Sequence, residues 1–204
     1  MDQTPGSYPE AVEELISALR RLPGIGRRSA ERMALGMLKL PAGELKLFGE
    51  IVSSLPERIS ACPVCGNLTE NGEKCAICAS PRRDESLICV VEDFTRIANI
   101  EKSGGYHGLY HVLGGKISPL DDESEDALHI EVLAQRLESG QVKELILALG
   151  GDVESRATAL YLARMFENKV GKITRLAQGL PAGGDLAYAD SATILAALNN
   201  RNQL

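Results

Sequence analysis

The chain has 204 residues, of which 44% are hydrophobic and 25% charged, so it can fill one large or two small cores and is not wholly disordered. Its apolar stretches fall short of the roughly 18 residues that span a bilayer, and residues 1–7 lack the basic and apolar regions of a secretory signal, so we expect a cytoplasmic protein without a membrane span. The net charge of −6 argues against a generally basic nucleic-acid binder, but six bases and one acid between Arg20 and Leu40 predict a local basic face.

Three helices are predicted in the first sixty residues. Ser7 and Glu10 have the spacing of a capping box, and apolar residues then recur at helical spacing as far as Leu19. The turn-forming sequence LPGIG at residues 22–26 ends this helix. Helical spacing resumes after the turn, and a third helical pattern covers residues 44–59. We therefore expect an all-helical module at this end of the chain.

After Asp84, short strand-like runs alternate with helical patterns. The predicted strands are residues 87–91, 109–113, 144–149 and 172–176; the predicted helices are residues 94–102, 124–137, 154–166 and a short one over 190–200. Strands that alternate with helices favour a mostly parallel sheet with helices on both faces. The fold class is therefore predicted to be α/β, with the all-helical module ahead of it.

A compact polar insert between these two parts has a cysteine pair at each end: Cys62 with Cys65, and Cys75 with Cys78. Each pair can direct two thiolates at one ion, and four thiolates complete the tetrahedral sphere of zinc, leaving no position for a catalytic water. The pattern predicts one structural zinc ion per chain; the alternative is free thiols or a redox pair. The fifth cysteine, Cys89, lies in a predicted strand and is expected to be a small buried hydrophobe.

The turn before the second helix is a candidate phosphate site. Gly24 and Gly26 let the backbone approach a ligand and leave amide N–H groups of the following helix available to an anion. Arg28 and Arg32 are four residues apart and share one helix face, with Arg27 beside them. DNA bound through its phosphates in this way would be recognised without regard to base sequence. The alternative is an ordinary helix corner with a solvated basic face.

Acidic residues follow two of the predicted strands. Glu92 and Asp93 come after the first strand, and Asp152 and Glu154 come after the third. The carboxyl ends of parallel strands meet at one edge of a sheet, where carboxylates can hold magnesium. The alternative is helix capping, since Asp93 and Asp152 each precede a helical pattern.

Three smaller features are interpreted as structural. Residues 114–118, GGKIS, fail the phosphate-loop spacing because an isoleucine separates the lysine from the serine. The three histidines, at positions 107, 111 and 129, have no spacing that makes a metal site or a catalytic triad, and we expect them at the surface or partly buried. The five acids between Asp121 and Asp126 are expected to form a solvated loop.

Taken in order, these motifs resemble the RecR family of bacterial recombination mediators along nearly the whole chain. The LPGIG turn followed by SAER at 29–32 is similar to the family's helix-hairpin-helix, the four-cysteine knuckle comes next, and ICVVE at 88–92 resembles the start of a Toprim domain. Further matching stretches are YHVLGG at 110–115, SPL at 118–120, ATALY at 157–161 and GLPAGGDL at 179–186. The resemblance implies a helix-hairpin-helix domain over residues 1–60, a zinc finger over 61–83, a Toprim domain over 84–176 and a C-terminal segment over 177–204.

The resemblance implies a DNA-binding clamp and adaptor that is not an enzyme. Four copies would form a ring around single- or double-stranded DNA, with RecO and in many bacteria RecF as partners in loading RecA onto single strands. Arg28 and Arg32 stand at the family's basic DNA-contacting positions, whereas Arg27 stands where many members have an uncharged residue. Four modest phosphate contacts in one closed ring would act multivalently.

The competing interpretation is a Toprim enzyme, such as a nuclease or primase, in which Glu92, Asp152 and Glu154 hold magnesium. Toprim enzymes carry a strand-end Asp-x-Asp, and this chain has Gly150 at the first of those positions, so any magnesium site would be poor. Relatives also carry an acid where this chain has Arg156, on the surface that resembles the RecO-facing one.

A topoisomerase-like Toprim enzyme would also need a nucleophilic tyrosine. Tyr106, Tyr110 and Tyr161 are candidates by residue type alone, because the sequence gives none of them an activating neighbour. A zinc-dependent hydrolase is excluded, since four thiolates leave the ion without an open position.

Overall fold

The chain divides into two units, Met1–Glu57 and Arg58–Leu204. The computed structural model describes residues 8–118 and 128–201. The predicted capping residue Ser7 and the predicted acidic loop at 121–126 lie outside those residues. Across the described ranges, no helix combines the length and the apolar character that crossing a bilayer requires.

The first unit is built from α1 (Glu10–Leu19), α2 (Arg27–Met37) and α3 (Ala42–Arg58). Helices α1 and α2 share a small core in which Ile16 and Leu19 are buried with Ala30 and Ala34. The two alanines are one helical turn apart, so they present a flat surface that lets α1 approach closely. The predicted helix-turn-helix arrangement is therefore present.

Helix α1 begins differently from the predicted capping box. Its N-cap residue is Pro9, which makes no side-chain cap hydrogen bond, and the first helical residue is Glu10. Proline's fixed φ suits the entry to a helix, and Glu10 and Glu13 place negative charge at the positive end of the helix dipole. The N-cap position that was predicted for Ser7 is therefore held by Pro9.

Helix α3 has no buried residue. Six large apolar side chains along it are between 38% and 57% exposed: Leu45, Leu47, Phe48, Ile51, Val52 and Leu55. Positions 45, 48, 52 and 55 alternate steps of three and four residues, which is the spacing of a coiled-coil seam. An exposed apolar stripe of this length is typical of a surface that packs against another chain.

The second unit opens with an antiparallel ribbon of β1 (Ile59–Ala61) and β2 (Leu68–Glu70). Cys62 and Cys65 lie in the turn between the strands, and Cys75 and Cys78 follow the second strand. Gly66, Asn71 and Gly72 adopt positive φ angles of 75°, 55° and 72°, the left-handed region that glycine and asparagine tolerate. These turn residues fold the insert tightly enough to bring the two cysteine pairs together.

The rest of the second unit is an α/β fold, which confirms the predicted class. Its four-stranded sheet is parallel throughout and has the order β4 (Gly108–Val112), β3 (Asp84–Val91), β5 (Glu144–Leu147), β6 (Lys172–Arg175). Helices α4 (Phe94–Lys102), α5 (Ile130–Glu138) and α6 (Val153–Phe166) connect the strands.

Both faces of the sheet are covered. Alternate residues of β3 point to opposite faces, so Ile88 and Val90 join the core formed with α5 and α6, whereas Cys89 and Val91 join the core that contains Ile97 of α4. Burial on both sides explains why β3 reads as a continuous apolar run. Cys89 is buried, as predicted.

A short 3-10 helix (Leu186–Tyr188) and α7 (Ser191–Asn199) end the described chain. Helix α7 has no buried residue, and Leu195 and Leu198 are 59% and 57% exposed. A Cβ atom at Gly179 would lie 3.3 Å from Cα of Ala197, so glycine allows the preceding segment to pass close to this helix. This region offers a second exposed apolar surface, separate from that of α3.

Candidate metal centre and nucleic-acid interface

The four cysteines form a metal-binding group. Their Sγ atoms all lie within 4.8 Å of one another, and the Sγ atoms of Cys65 and Cys75 are 3.6 Å apart. Around a tetrahedral zinc ion with Zn–S bonds of about 2.3 Å, neighbouring sulfur atoms are separated by about 3.8 Å. Three of the four side chains are buried and Cys78 is partly buried, so the thiols fit a closed structural zinc site.

Backbone amides prepare one of these thiols for a metal. Burial alone would raise the pKa of Cys62, but donors from the backbone of Cys75, Val64 and Cys65 outweigh it and lower the pKa to about 7. The Cys75 N–H donates to Cys62 Sγ at 3.3 Å. At Cys65, the neighbouring Cys78 thiol and then burial raise the pKa. Several thiolates side by side therefore need a divalent cation between them.

The cysteine knuckle docks on β4, the edge strand of the sheet. The Val112 N–H donates to the carbonyl oxygen of Cys65 at 2.7 Å. A Cβ atom at Gly66 would lie 3.1 Å from Cβ of Val112, so glycine is what permits this approach. Ile77, between the second pair of cysteines, packs against the knuckle and against the core beneath α4. The metal site therefore supports the edge of the sheet as well as its own ribbon.

A buried polar network at the end of β4 was not predicted. Arg136 of α5 donates to the carbonyl oxygen of Tyr110 at 2.6 Å, and the same nitrogen lies 3.4 Å from Nδ1 of His111. His111 Nε2 lies 2.9 Å from the carbonyl oxygen of His129, which can only accept, so Nε2 carries the proton. Burial, and then the Arg136 charge, lower the pKa of His111 to about 3. His111 is 1% exposed, so the expectation of a surface or partly buried residue was wrong there.

The helix-hairpin turn leaves the start of α2 open. Gly24 has a φ of 79°, which favours glycine, whereas Gly26 is extended and has no atom within 4 Å of the place its Cβ would take. Ala30 is the first residue of α2 whose N–H is bonded, to the carbonyl oxygen of Gly26. Within the described residues, the N–H groups of Arg27, Arg28 and Ser29 have no acceptor. They are therefore free to bind an anion at the positive end of the helix dipole.

A basic stripe continues from this helix start. Arg28, Arg32 and Lys39 line one shallow pocket of about 590 Å³ together with Tyr8 and Leu35. Positions 28, 32 and 35 are separated by four and three residues, which keeps them on one side of α2, and Lys39 lies in the turn just after the helix. In the part of the chain that the structure describes, none of the three cations forms an ion pair. Sequence reasoning counted Lys39 in the basic segment but did not name it as a DNA contact.

Arg27 belongs to a different contact. Its Nε donates to Oε1 of Glu31 at 2.9 Å, and its guanidinium lies 3.8 Å from the carboxylate of Glu13 on α1. The hydrogen bond to Glu31, followed by the charge of Glu13, raises the pKa of Arg27. The structure therefore places Arg27 as a link between α1 and α2 and not with the unpaired cations of the basic stripe.

The predicted acidic residues do converge at the edge of the sheet. Glu92 is 7% exposed, and its Oε1 accepts from the Gly150 N–H at 2.7 Å and from the Ser155 hydroxyl at 2.5 Å. The same hydroxyl lies 3.0 Å from Oδ2 of Asp152. Ser155 therefore bridges the two carboxylates.

Asp93 and Asp152 also cap helices, as the alternative interpretation of the acidic residues predicted. Asp93 accepts from the Thr95 N–H at the start of α4, and Asp152 accepts from the Ser155 N–H at the start of α6, each at 2.9 Å. The Ser155 backbone, and then Lys116, hold the pKa of Asp152 well below its usual range. Asp152 therefore already has hydrogen-bond and ion-pair partners within the chain.

Cationic side chains of the chain lie among these carboxylates. Lys116 Nζ is 3.0 Å from Asp152 and 3.6 Å from Glu154, and the Arg96 guanidinium is 3.6 Å from Glu92. A Cβ atom at Gly150 would lie 2.9 Å from the Ser155 hydroxyl, so an aspartate at this first position of Asp-x-Asp would require the Ser155 side chain to move. Over residues 8–118 and 128–201, the cysteines are the one group of three or more side chains arranged for a common ion.

Two of the three candidate tyrosines are held by hydrogen bonds. Tyr110 is fully buried and donates to Glu101 at 2.7 Å, and Tyr106 donates to the carbonyl oxygen of Leu109 at 2.8 Å. Burial raises the pKa of both hydroxyl groups. Tyr161 is a partly buried member of the α6 core.

Known families match the chain in the order of these sites. The matching family models are RecR helix-hairpin-helix at residues 12–51, RecR four-cysteine zinc finger domain at 59–80, Toprim domain at 86–177 and RecR C-terminal at 179–202. The recombination protein RecR of Acidothermus cellulolyticus is 48% identical over 197 residues, which cover 97% of this chain and 98% of the relative. The chain belongs to the RecR family.

Other RecR relatives give the same result. That of Moorella thermoacetica is 46% identical over 197 residues, with 97% and 98% of the two chains covered. That of Magnetococcus marinus is 45% identical over 190 residues, with 93% and 94% covered. The RecR zinc finger match includes Cys62, Cys65, Cys75 and Cys78, so the metal centre is a structural zinc site, as the sequence predicts.

Proposed function

We propose that this RecR family member is a DNA-binding clamp and adaptor in recombinational repair in the cytoplasm. It would act with RecO, and with RecF where that protein is present, to load RecA onto single-stranded DNA at gaps. The observation that carries the proposal is the open first turn of α2 beside the unpaired cations Arg28, Arg32 and Lys39. Gly24 and Gly26 keep that turn accessible to a DNA backbone.

This site binds phosphate and not bases. The free N–H groups at the start of α2 donate to one phosphate, and the basic stripe follows the backbone beyond it. Cations that contact the backbone phosphates meet the same groups in single- and double-stranded DNA, so both are ligands. Arg27 contributes by fixing α2 against α1, through Glu31 and Glu13.

Two exposed apolar surfaces support a ring of four chains. One is the α3 stripe at positions 45, 48, 52 and 55, and the other is the surface around Leu195 and Leu198 of α7. A chain with two different self-complementary contacts can alternate them around a closed ring, and four copies is the smallest ring with two contacts of each kind. A ring holds DNA topologically, so each phosphate contact can be weak.

The Toprim domain would serve as a partner surface and not as a catalytic site. Lys116 lies between Asp152 and Glu154, where a Toprim enzyme would hold a divalent cation, and Gly150 supplies no side-chain ligand. The buried, hydrogen-bonded Tyr106 and Tyr110 have no role as nucleophiles. A magnesium-dependent Toprim enzyme stays the second candidate because Glu92 and Asp152 do meet through Ser155.

The proposal also assigns a surface of the Toprim domain to RecO. In this chain Lys116 compensates Glu154, and Arg156 adds a positive charge one position after Ser155. RecO would therefore meet a less acidic surface than in relatives with an acid at that position. We therefore expect charge attraction to contribute less to the complex with RecO than it does in those relatives.

Retention on DNA of different topology tests the proposal. The protein is loaded with magnesium onto a gapped circle, or onto the same DNA after linearisation, and challenged with high salt; the DNA is then run on a denaturing gel. Survival on the circle, escape from the linear form and unbroken strands are expected. Equal loss from both forms would reduce the protein to an ordinary phosphate binder. Magnesium-dependent nicking that disappears in Asp152→Asn would favour the enzyme.

A further inference from the structure

An apolar groove runs along the free edge of the sheet, between β6 and α6. Its volume is about 350 Å³, and its floor is formed by Leu147, Ile173 and Ala163, with Leu160 on the wall. Leu160 is 64% exposed although it follows the buried Ala159. None of the described residues that line the groove belongs to the zinc site, the basic stripe or the cluster of Glu92, Asp152 and Glu154.

Two arginines flank this groove. Arg156 and Leu160 are one turn apart on α6, and Arg175 stands at the end of β6, on the same side of the sheet as Ile173. Among the described residues neither arginine forms an ion pair. Both are exposed, so their guanidinium groups can reach a ligand in the groove.

In the described chain the nearby acids pair with other cations and not with these arginines. Glu154 and Asp152 share Lys116, and Glu144 binds Lys172 at 3.1 Å. Of the side chains that the structure describes, the two arginines are the only charged ones that line the groove, so its own lining is apolar and positively charged. A planar guanidinium recognises carboxylates through paired hydrogen bonds.

Strand β6 adds a third component. It is the last strand in the order β4-β3-β5-β6 and pairs with β5 alone, so the backbone groups on its outer side have no strand partner in the described chain. An extended peptide can add to such an edge, with side chains alternately entering the groove and facing away. The edge strand, the aliphatic floor and the two arginines thus fit a single kind of ligand.

We propose that this groove binds an extended acidic peptide segment of a partner protein, which pairs with β6, places aliphatic side chains against Leu160 and Ile173, and directs carboxylates at Arg156 and Arg175. A nucleic acid fits less well. The lining has no aromatic side chain for base stacking and two cations in place of a continuous basic track. The proposal is independent of DNA binding by the hairpin, so either can fail without the other.

The test uses a short fluorescein-labelled peptide in which aspartate alternates with valine and leucine, titrated into the full chain and followed by fluorescence anisotropy. Saturable binding is expected, together with slower hydrogen exchange at the β6 amides. Arg156→Gln and Arg175→Gln should each weaken binding about tenfold, the loss of one charge-assisted contact. Arg164→Gln, which removes an equal charge from α6 outside the groove, should leave the affinity unchanged.

Four outcomes would overturn the proposal. One is failure of the native chain to bind the peptide, and another is an equal loss of affinity in Arg164→Gln and Arg156→Gln. A third is displacement of the peptide by an oligonucleotide that binds Arg156→Gln and Arg175→Gln more weakly than the native chain. The groove would then be a nucleic-acid surface. The fourth is a fall in oligomeric state in those variants without peptide binding by the native chain, which would make it a contact between copies. Circular dichroism and a bound zinc ion, both of which report on the second unit, show that each variant is folded.

Discussion

The replacement of Arg28 and Arg32 together by alanine gives the most direct test of phosphate binding. Both side chains lie on the basic stripe, and neither is paired with an acid in the described chain. If each neutralises one phosphate, their loss flattens the slope of log affinity against log salt by about 1.8 for duplex DNA, for each chain that is engaged. Between about 50 and about 200 mM salt, the affinity gap between native and variant proteins should then narrow about twelvefold per engaged chain.

The assay is fluorescence anisotropy of labelled duplex and single-stranded DNA over a salt series, with two unrelated base sequences. Arg27→Ala is the matched control, because its guanidinium is already bound to Glu31 and Glu13, and its slope should match that of the native protein. Lys39→Ala should flatten the slope by about 0.9 per engaged chain. A slope change that is a multiple of these values counts the chains that hold the DNA.

Two results would refute this reasoning. The first is a change of salt slope in Arg27→Ala as large as that in the single variant Arg28→Ala. The ion pairs of Arg27 with Glu31 and Glu13 would then not keep its guanidinium from binding phosphate. If the double variant loses affinity for one base sequence and not for the other, the hairpin reads bases and does not simply bind phosphate. A loss of helical content in any variant, measured by circular dichroism, would disqualify that variant from the comparison.

Three further predictions concern the second unit. Cys78→Ser should lose the bound zinc and melt at a lower temperature, whereas Cys89→Ala should keep one zinc ion per chain by metal analysis; full thermal stability of zinc-free Cys78→Ser would contradict a structural site. Lys116→Met should bind manganese more tightly than the native chain in electron paramagnetic resonance titrations, because it removes the cation that lies between Asp152 and Glu154; equal binding by the two would contradict this role of Lys116. His111 has a folded pKa of about 3 against 6.5 when free, so the unfolded chain binds the extra proton and stability falls as pH drops from 6.5 towards 3. Urea unfolding should show a shallower fall in His111→Gln, and identical pH profiles would remove His111 as a cause.

The parts of the fold that could be predicted are those with a strong local pattern. The run of apolar residues in β3, the helical spacing of α4 and the paired CxxC motifs each favour one interpretation over its alternatives, and the structure has all three features. The start of α1 was mistaken because a serine with capping-box spacing competes with a proline, and the fixed φ of Pro9 decides the helix entry.

Pairing between distant side chains could not be predicted. The sequence shows Arg27 and Arg28 as neighbours of equal chemistry, with Glu31 within helical reach of both, and it does not show that Arg27 binds Glu31 while also lying near Glu13 of another helix. Lys116 was considered only as part of a failed phosphate loop, because its partner Asp152 is 36 residues away along the chain. Arg136 gave no signal, since nothing in the pattern of α5 shows that it reaches the carbonyl oxygen of Tyr110.

The same pairing explains how a chain of net charge −6 can bind DNA. At about 0.1 M salt, charges more than about 10 Å apart are largely screened, so a phosphate at the hairpin responds to the groups beside it and not to the total. The acid that shares the pocket with the stripe, Glu31, is already bound to Arg27, which leaves Arg28, Arg32 and Lys39 uncompensated. At about 0.01 M salt the screening length reaches about 30 Å, and the excess acids of the chain then also repel DNA. As the salt concentration is lowered, the DNA affinity of the native protein should therefore stop rising. For a domain that is basic throughout, it should keep rising to lower salt concentrations.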